Sequence, residues 1–144
     1  MKKSHCPFCG EKTYSHYAKN VEITYKNKTV KVNQPGTWCS TCNEGLISPA
    51  DRKATQKELQ AFKASVDGLL SPDEVRRIRK KLKLTQRQAS GLFGGGVNAF
   101  SRYEKGEIPI YRATSQALKL LDNHPSQLKE LIQNNNDGFL HAFS

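Results

Sequence analysis

The sequence predicts an α+β chain. A small N-terminal β/α domain, pinned by four cysteines, is joined to an all-α domain of five helices. Three observations carry this. Every cysteine lies in one of two Cys-x-x-Cys pairs, Cys6-Pro-Phe-Cys9 and Cys39-Ser-Thr-Cys42. The stretch between them alternates apolar and polar residues, the period of a strand. Beyond Leu70, capping residues and apolar residues three and four apart mark a series of helices.

The two cysteine pairs match the ligand set of a tetrahedral structural zinc site. Two intervening residues let a tight turn aim both sulfurs at one point. Gly10 follows the first pair, where such a turn needs a residue tolerant of positive φ, and Asn43 follows the second. A redox Cys-x-x-Cys usually stands alone near a βαβ pattern, which is missing here. Disulfides need an oxidising compartment. The opening Met-Lys-Lys-Ser-His-Cys has no apolar run after its charges, so it carries no signal-peptide pattern and points to the cytoplasm. One zinc held by Cys6, Cys9, Cys39 and Cys42 is therefore expected. Four sulfurs leave no position for water, which makes the metal structural. His5 and His16 are the alternative ligands nearby, and otherwise surface polar residues.

Between the pairs, Val21–Tyr25 and Thr29–Val32 alternate, with Lys26-Asn27-Lys28 as a turn, so a hairpin is expected. Residues 13–18 are a possible further strand. Pro35-Gly36 is expected to bend the chain back to Cys39. So small an apolar content leaves metal binding to supply much of the folding energy.

Ser48-Pro49 starts a helix, with Ser at the N-cap and Pro at its first position. Leu59, Phe62 and Val66 are its expected buried stripe, and Gly68 its end. Asp67-Gly68-Leu69-Leu70 is the candidate hinge, dividing domains at 1–68 and 69–133. Ser71-Pro72-Asp73-Glu74 is a capping box opening a helix with Val75, Ile78 and Leu82 inward. Thr85-Gln86-Arg87-Gln88 is a second, opening a helix with Ala89, Leu92 and Phe93 inward. Gly94-Gly95-Gly96 forces a turn. A helix over 97–105 follows, capped by Gly106, and two more are expected over 113–122 and 126–133. The tail 134–144 reads as disordered.

Two short capped helices joined by a Gly-rich turn make a helix-turn-helix, whose second helix enters the major groove of DNA. Val97, Phe100 and Tyr103 would face the core. Asn98 and Arg102, four apart, would share the outward face. Asn pairs bidentately with adenine and Arg with guanine, so these two are the expected base readers. The formal charge of +10, about +8 with zinc thiolates counted, favours a polyanionic partner. Seven basic residues crowd Arg76–Arg87. Arg76, Arg79, Lys80, Gln86, Arg87 and Ser101 are the expected phosphate contacts. A dimer on a palindromic operator would suit this geometry. No run is long and apolar enough to cross a membrane. No nucleophile–base pair or open metal site is visible, so no enzyme is expected.

These motifs resemble a known family. Cys-Pro-x-Cys, a second Cys-x-x-Cys, Arg-Lys-Lys-Leu-Lys-Leu-Thr-Gln over 79–86 and the run Phe93–Gly106 are similar to the MqsA (YgiT-type) antitoxins of bacterial type II toxin–antitoxin systems. Leu120-Leu121-Asp122-Asn123-His124-Pro125 also matches. The likeness covers residues 6 to about 131. It implies an N-terminal zinc domain that binds a toxin, by resemblance an mRNA-cleaving ribonuclease. It also implies a C-terminal Xre/Cro-type domain that dimerises and represses its operon. The family's zinc ligands fall on the four cysteines, and its base readers on Asn98 and Arg102. The departures are the sequence between the cysteine pairs and the tail after Ile132. The alternative function is a stand-alone regulator whose zinc domain only stabilises the chain.

Overall fold

A computed structural model of the chain describes residues 2–134. The tail expectation lies outside these residues, except that Asn134 closes the last helix. The elements are β1 (Tyr14–Tyr25), β2 (Lys28–Cys39), β3 (Gly45–Leu46), α1 (Pro49–Asp67), α2 (Pro72–Lys81), α3 (Gln86–Phe93), α4 (Ala99–Lys105), α5 (Arg112–Asn123) and α6 (Leu128–Asn134). A 3-10 turn, Pro125–Gln127, precedes α6. The class is α+β. Two compact units meet in sequence between Glu58 and Leu59, within α1.

In the first unit the sheet order is β1-β2-β3, all antiparallel. Lys26 and Asn27, both at positive φ (49° and 65°), form a two-residue hairpin turn closed by Tyr25 and Lys28. The expected short strands are one long pair of 12 residues each. The expected bend at Pro35-Gly36 does not occur. Those residues stay in β2, opposite Ala18 and Tyr17. Counting alternate pairs from the turn puts Pro35 at a non-hydrogen-bonded position, its nitrogen turned from β1. β3 pairs with Thr37 and Trp38 and stops short of Pro35, so the missing N–H costs no ladder bond. Gly36 has a different task. A Cβ there would lie 2.8 Å from the Trp38 ring. Lys19 Nζ covers that ring, 4.0 Å from its centroid.

α1 begins with reciprocal bonds. The Asp51 N–H donates to Ser48 Oγ, and the Ser48 N–H donates to the Asp51 carboxylate, both at 3.1 Å. The first turns then dock through polar groups. Gln34 on β2 donates to the Asp51 carbonyl at 2.9 Å and accepts from Thr55 Oγ1 at 2.7 Å. Gln34, Asp51 and Thr55 are all buried. The expected buried stripe is only half right. Leu59, Phe62 and Val66 are half-buried, and Ala64 is the buried apolar residue of the helix. A buried polar network replaces oil because every member finds a partner.

The second unit has an apolar core that includes Val75, Ile78, Ala89, Phe100, Tyr103 and Leu118. Phe100 stacks near Phe93 and Tyr103, with centroids 5.8 and 5.5 Å away. Burying a side chain such as Phe100 contributes about 1.5–3 kcal/mol. Both expected capping boxes form, at Ser71/Glu74 and Thr85/Gln88. α2 and α4 are joined by a buried ion pair. Arg79 donates twice to the Glu104 carboxylate, at 2.8 and 2.9 Å, and once to the Leu84 carbonyl at 2.9 Å. The expected hinge is fastened within this unit. Lys119 donates to the Gly68 carbonyl, Arg112 to the Asp67 carbonyl, and Leu70 N–H to Ser115 Oγ. Leu70 itself is a core residue.

Two expectations follow for stability. Arg79→Ala should cost about 3–5 kcal/mol, because it strands the buried Glu104 charge; Arg79→Met with Glu104→Leu should recover much of this. Chemical denaturation followed by far-UV circular dichroism measures both. The second concerns pH. Arg77, then Lys81, hold the Asp122 carboxyl down to about 2. A depressed carboxyl contributes stability above its unfolded value of about 3.9, lost as pH falls through the folded one. The helical unit's stability against melting should therefore fall between about pH 4 and 2, and Asp122→Asn should flatten that limb.

Candidate metal centre and nucleic-acid interface

The four cysteine sulfurs lie within 4.8 Å of one another. Cys6 and Cys42 sulfurs are 3.7 Å apart, and Cys9 and Cys39 sulfurs 3.6 Å. A tetrahedron with zinc–sulfur bonds of about 2.3 Å has edges of about 3.8 Å. The cluster could hold a metal ion of that kind. Two near-identical turns build it. Cys6 N–H donates to the Glu11 carbonyl while Gly10 N–H donates to the Cys6 carbonyl. Cys39 N–H donates to the Glu44 carbonyl while Asn43 N–H donates to the Cys39 carbonyl. All four bonds measure 2.9 Å. Gly10 and Asn43 have the positive φ the turn needs, 84° and 63°.

Backbone and side-chain donors point at the sulfurs. Phe8 N–H reaches Cys6 Sγ at 3.3 Å, and Cys42 N–H reaches Cys39 Sγ at 3.5 Å. Thr13 Oγ1 lies 3.1 Å from Cys39 Sγ. The Thr13 hydroxyl, then the Cys42 and Thr41 amides, bring the Cys39 thiol down to about 6. Cys9 moves the other way. The Glu11 amide pulls its thiol down, but burial and the other three sulfurs push it up to about 12. One thiolate is easy to form here, and several together call for a cation. The alternative ligands are otherwise engaged. His16 Nε2 is 2.8 Å from Asp51 Oδ1, and His5 Nδ1 donates to the Gly10 carbonyl.

The helical unit presents α3, a Gly-rich turn and α4. Gly94, Gly95 and Gly96 are all at positive φ, 86° to 98°. The turn runs further than expected, and α4 starts at Ala99. Val97 is accordingly not a core residue: it is 69% exposed. Ala99 takes its place beside buried Phe100 and Tyr103. Asn98 stands at the N-cap, exposed, with no side-chain capping bond. Arg102 is exposed one turn on, its Nε 3.5 Å from Glu107. Ser101, between them, is half-buried.

Among the expected phosphate contacts, Arg76, Lys80 and Arg87 are exposed and Gln86 is half-buried at the start of α3. Arg79 is a correction. Its side chain is 11% exposed and committed to Glu104, so it braces α4 from behind. Arg77 and Lys81 pair with Asp122. Sequence reasoning missed Glu104, the partner of Arg79, and Ser90, whose hydroxyl accepts the Phe100 N–H at 3.1 Å. A mid-helix serine is a weak signal for such a role.

Residues 4–132 match the family described as the antitoxin component of the bacterial toxin-antitoxin system, MqsA. The chain is 39% identical over 128 residues to Antitoxin MqsA of Escherichia coli (strain K12), covering 88% of this chain and 98% of that one. With its paired cysteine turns and its two-helix unit both inside the matched span, the chain belongs to the MqsA family of antitoxins.

Proposed function

We propose that this chain neutralises a partner toxin through its N-terminal unit and represses its own operon through α3 and α4. The observation that carries the DNA half is the pairing of Asn98 and Arg102. Both are exposed on the side of α4 opposite buried Phe100 and Tyr103. Base-reading pairs need that arrangement. Arg76, Lys80, Arg87, Gln86 and Ser101 are the phosphate contacts. A homodimer reads a palindrome. Supporting this, exposed Leu120 with Ala117, Leu121 and Leu131 lines a groove of about 270 Å3 shared with Gln127, Glu130 and Asn134, a surface with an apolar part suited to a second copy.

Cys6, Cys9, Cys39 and Cys42 hold one zinc, whose role is to fold the unit that meets the toxin. β1 is the outer strand of the sheet. Among the described residues its outer edge is bridged only at Tyr14, by Ser4. The edge beyond suits strand addition by a partner. The partner is an mRNA-cleaving ribonuclease, as the family resemblance implies. The protein acts by binding, with no catalysis of its own.

Trp38 is the single tryptophan, next to Cys39, so its fluorescence reports the N-terminal unit alone. Chelation or Cys39→Ser should unfold that signal and leave far-UV helix content largely in place. Structural zinc of this kind is worth about 10–16 kcal/mol of apparent binding energy. An unchanged Trp38 signal after complete zinc removal would contradict the assignment. For DNA, Asn98→Ala and Arg102→Ala should each cost about 1–3 kcal/mol and relax preference at one base per half-site. Lys80→Ala should weaken all sequences alike and lower the salt slope. Retained sequence preference in both α4 variants would sink the base-reading assignment. In cells, the full-length Asn98→Ala/Arg102→Ala protein should rescue growth against a toxin encoded beside it yet derepress the operon. Cys39→Ser should fail to rescue. A wild-type chain that never rescues would leave the stand-alone regulator.

A further inference from the structure

We infer that Ser90 is a positioning residue for base recognition: it caps α4 from α3 and so leaves the Asn98 amide free to read DNA. The inference rests on the base-reading role proposed for Asn98.

A helix exposes several N–H groups at its start, and the N-cap side chain normally accepts one, from the second or third helical residue. The chain obeys that rule at α1, where Ser48 Oγ accepts from Asp51 N–H, and again at α2 and α3. Ser71 and Thr85, in extended conformation (φ −72° and −75°, ψ 162° and 164°), accept from Glu74 and Gln88 N–H. At α4 the rule fails, although asparagine is among the best N-cap residues. Asn98 sits at φ −103°, ψ 12° and makes no side-chain capping bond. The three positive-φ glycines deliver the chain to it in that conformation.

The orphan donor goes elsewhere. Phe100 is the second residue of α4, and its N–H reaches Ser90 Oγ at 3.1 Å. Both residues are buried, at 0% and 3% exposure. A mid-helix serine is otherwise mildly unfavourable, and a buried one needs a partner. Ser90 has one in a helix that is not its own. Capping is thus handed from Asn98 to Ser90, and the Asn98 amide keeps both its oxygen and its NH2 for a bidentate contact with adenine.

Loss of the Ser90 hydroxyl strands a buried donor, and such a donor recruits the nearest acceptor. The N-cap side chain is the one that helix geometry supplies. An Asn98 oxygen turned to Phe100 N–H can no longer present a full pair to a base. Ser90→Ala should therefore blunt recognition at the base read by Asn98 and spare the one read by Arg102.

The experiment is competition binding of full-length protein to its operator and to every single-base variant. Wild type, Ser90→Ala, Ser90→Thr, Asn98→Ala and Ser90→Ala/Asn98→Ala are compared, with folding checked by circular dichroism. Asn98→Ala should lose about tenfold discrimination at one position per half-site. Ser90→Ala should lose it at that same position, the double variant should lose no more, and Ser90→Thr should keep it. Should Ser90→Ala not fold, Ser90→Cys carries the same test, since sulfur is a weak acceptor. A uniform loss of affinity across all sequences would make Ser90 merely structural and overturn the inference. So would intact discrimination in Ser90→Ala beside a loss in Asn98→Ala. No loss in Asn98→Ala would overturn the base-reading role itself and the inference with it.

Discussion

Four sulfurs gather within 4.8 Å of one another at the open end of a hairpin that has little else to hold it, a cluster that could hold a metal ion. The Cys6–Cys9 turn precedes β1, and the Cys39–Cys42 turn begins where β2 ends. Tyr14 and Cys39 are paired at that end of the ladder. Among the described residues the buried apolar side chains of this unit are Tyr14, Val32 and Trp38 beside the cysteines, too few to offset the ordering of so many residues. Geometry, rather than apolar area, fixes the unit. Each cysteine turn is closed by its own backbone bonds, and the two turns have one point in common at which to meet.

The helical unit is organised on the opposite principle. Its core is contiguous and apolar, and its polar groups are local instructions: two capping boxes, one buried ion pair, one borrowed cap. The last two bear on where α4 stands. Arg79 and Glu104 fix it to α2, and Ser90 fixes its first turn to α3. Its own Phe100 and Tyr103 are buried while Asn98 and Arg102 are exposed. The base-reading role proposed for this surface needs such rigidity, since a bidentate contact tolerates little displacement. The unit that carries the exposed β1 edge and the unit that carries α4 thus depend on different forces.

Much of this was legible in the sequence because the signals are local. Cys-x-x-Cys spacing, Ser-x-x-Glu, Thr-x-x-Gln and the glycines at 10, 68 and 106 each act within a few residues, and each does what its type requires. What could not be read depends on tertiary context. Pro35 looks like a bend, and only the register shows that its nitrogen faces away from β1. Arg79 looks like its exposed neighbours, and only the packing of α2 on α4 sets it against Glu104. Val97 fits a helical stripe until three positive-φ glycines delay the helix past it. Gln34, Asp51 and Thr55 carry no apolar signature at all, yet they are buried where α1 begins. The recurring difficulty is the polar residue placed inside, which hydropathy reads as surface.

The claim on which the N-terminal unit stands is a closed four-sulfur metal site. X-ray absorption at the zinc edge, on protein purified without chelator, tests it directly. Four sulfurs at about 2.3 Å and one zinc per chain are the predicted result. A shell containing nitrogen or oxygen at about 2.0–2.1 Å would contradict it, as would metal-free protein whose Trp38 fluorescence is that of the folded unit.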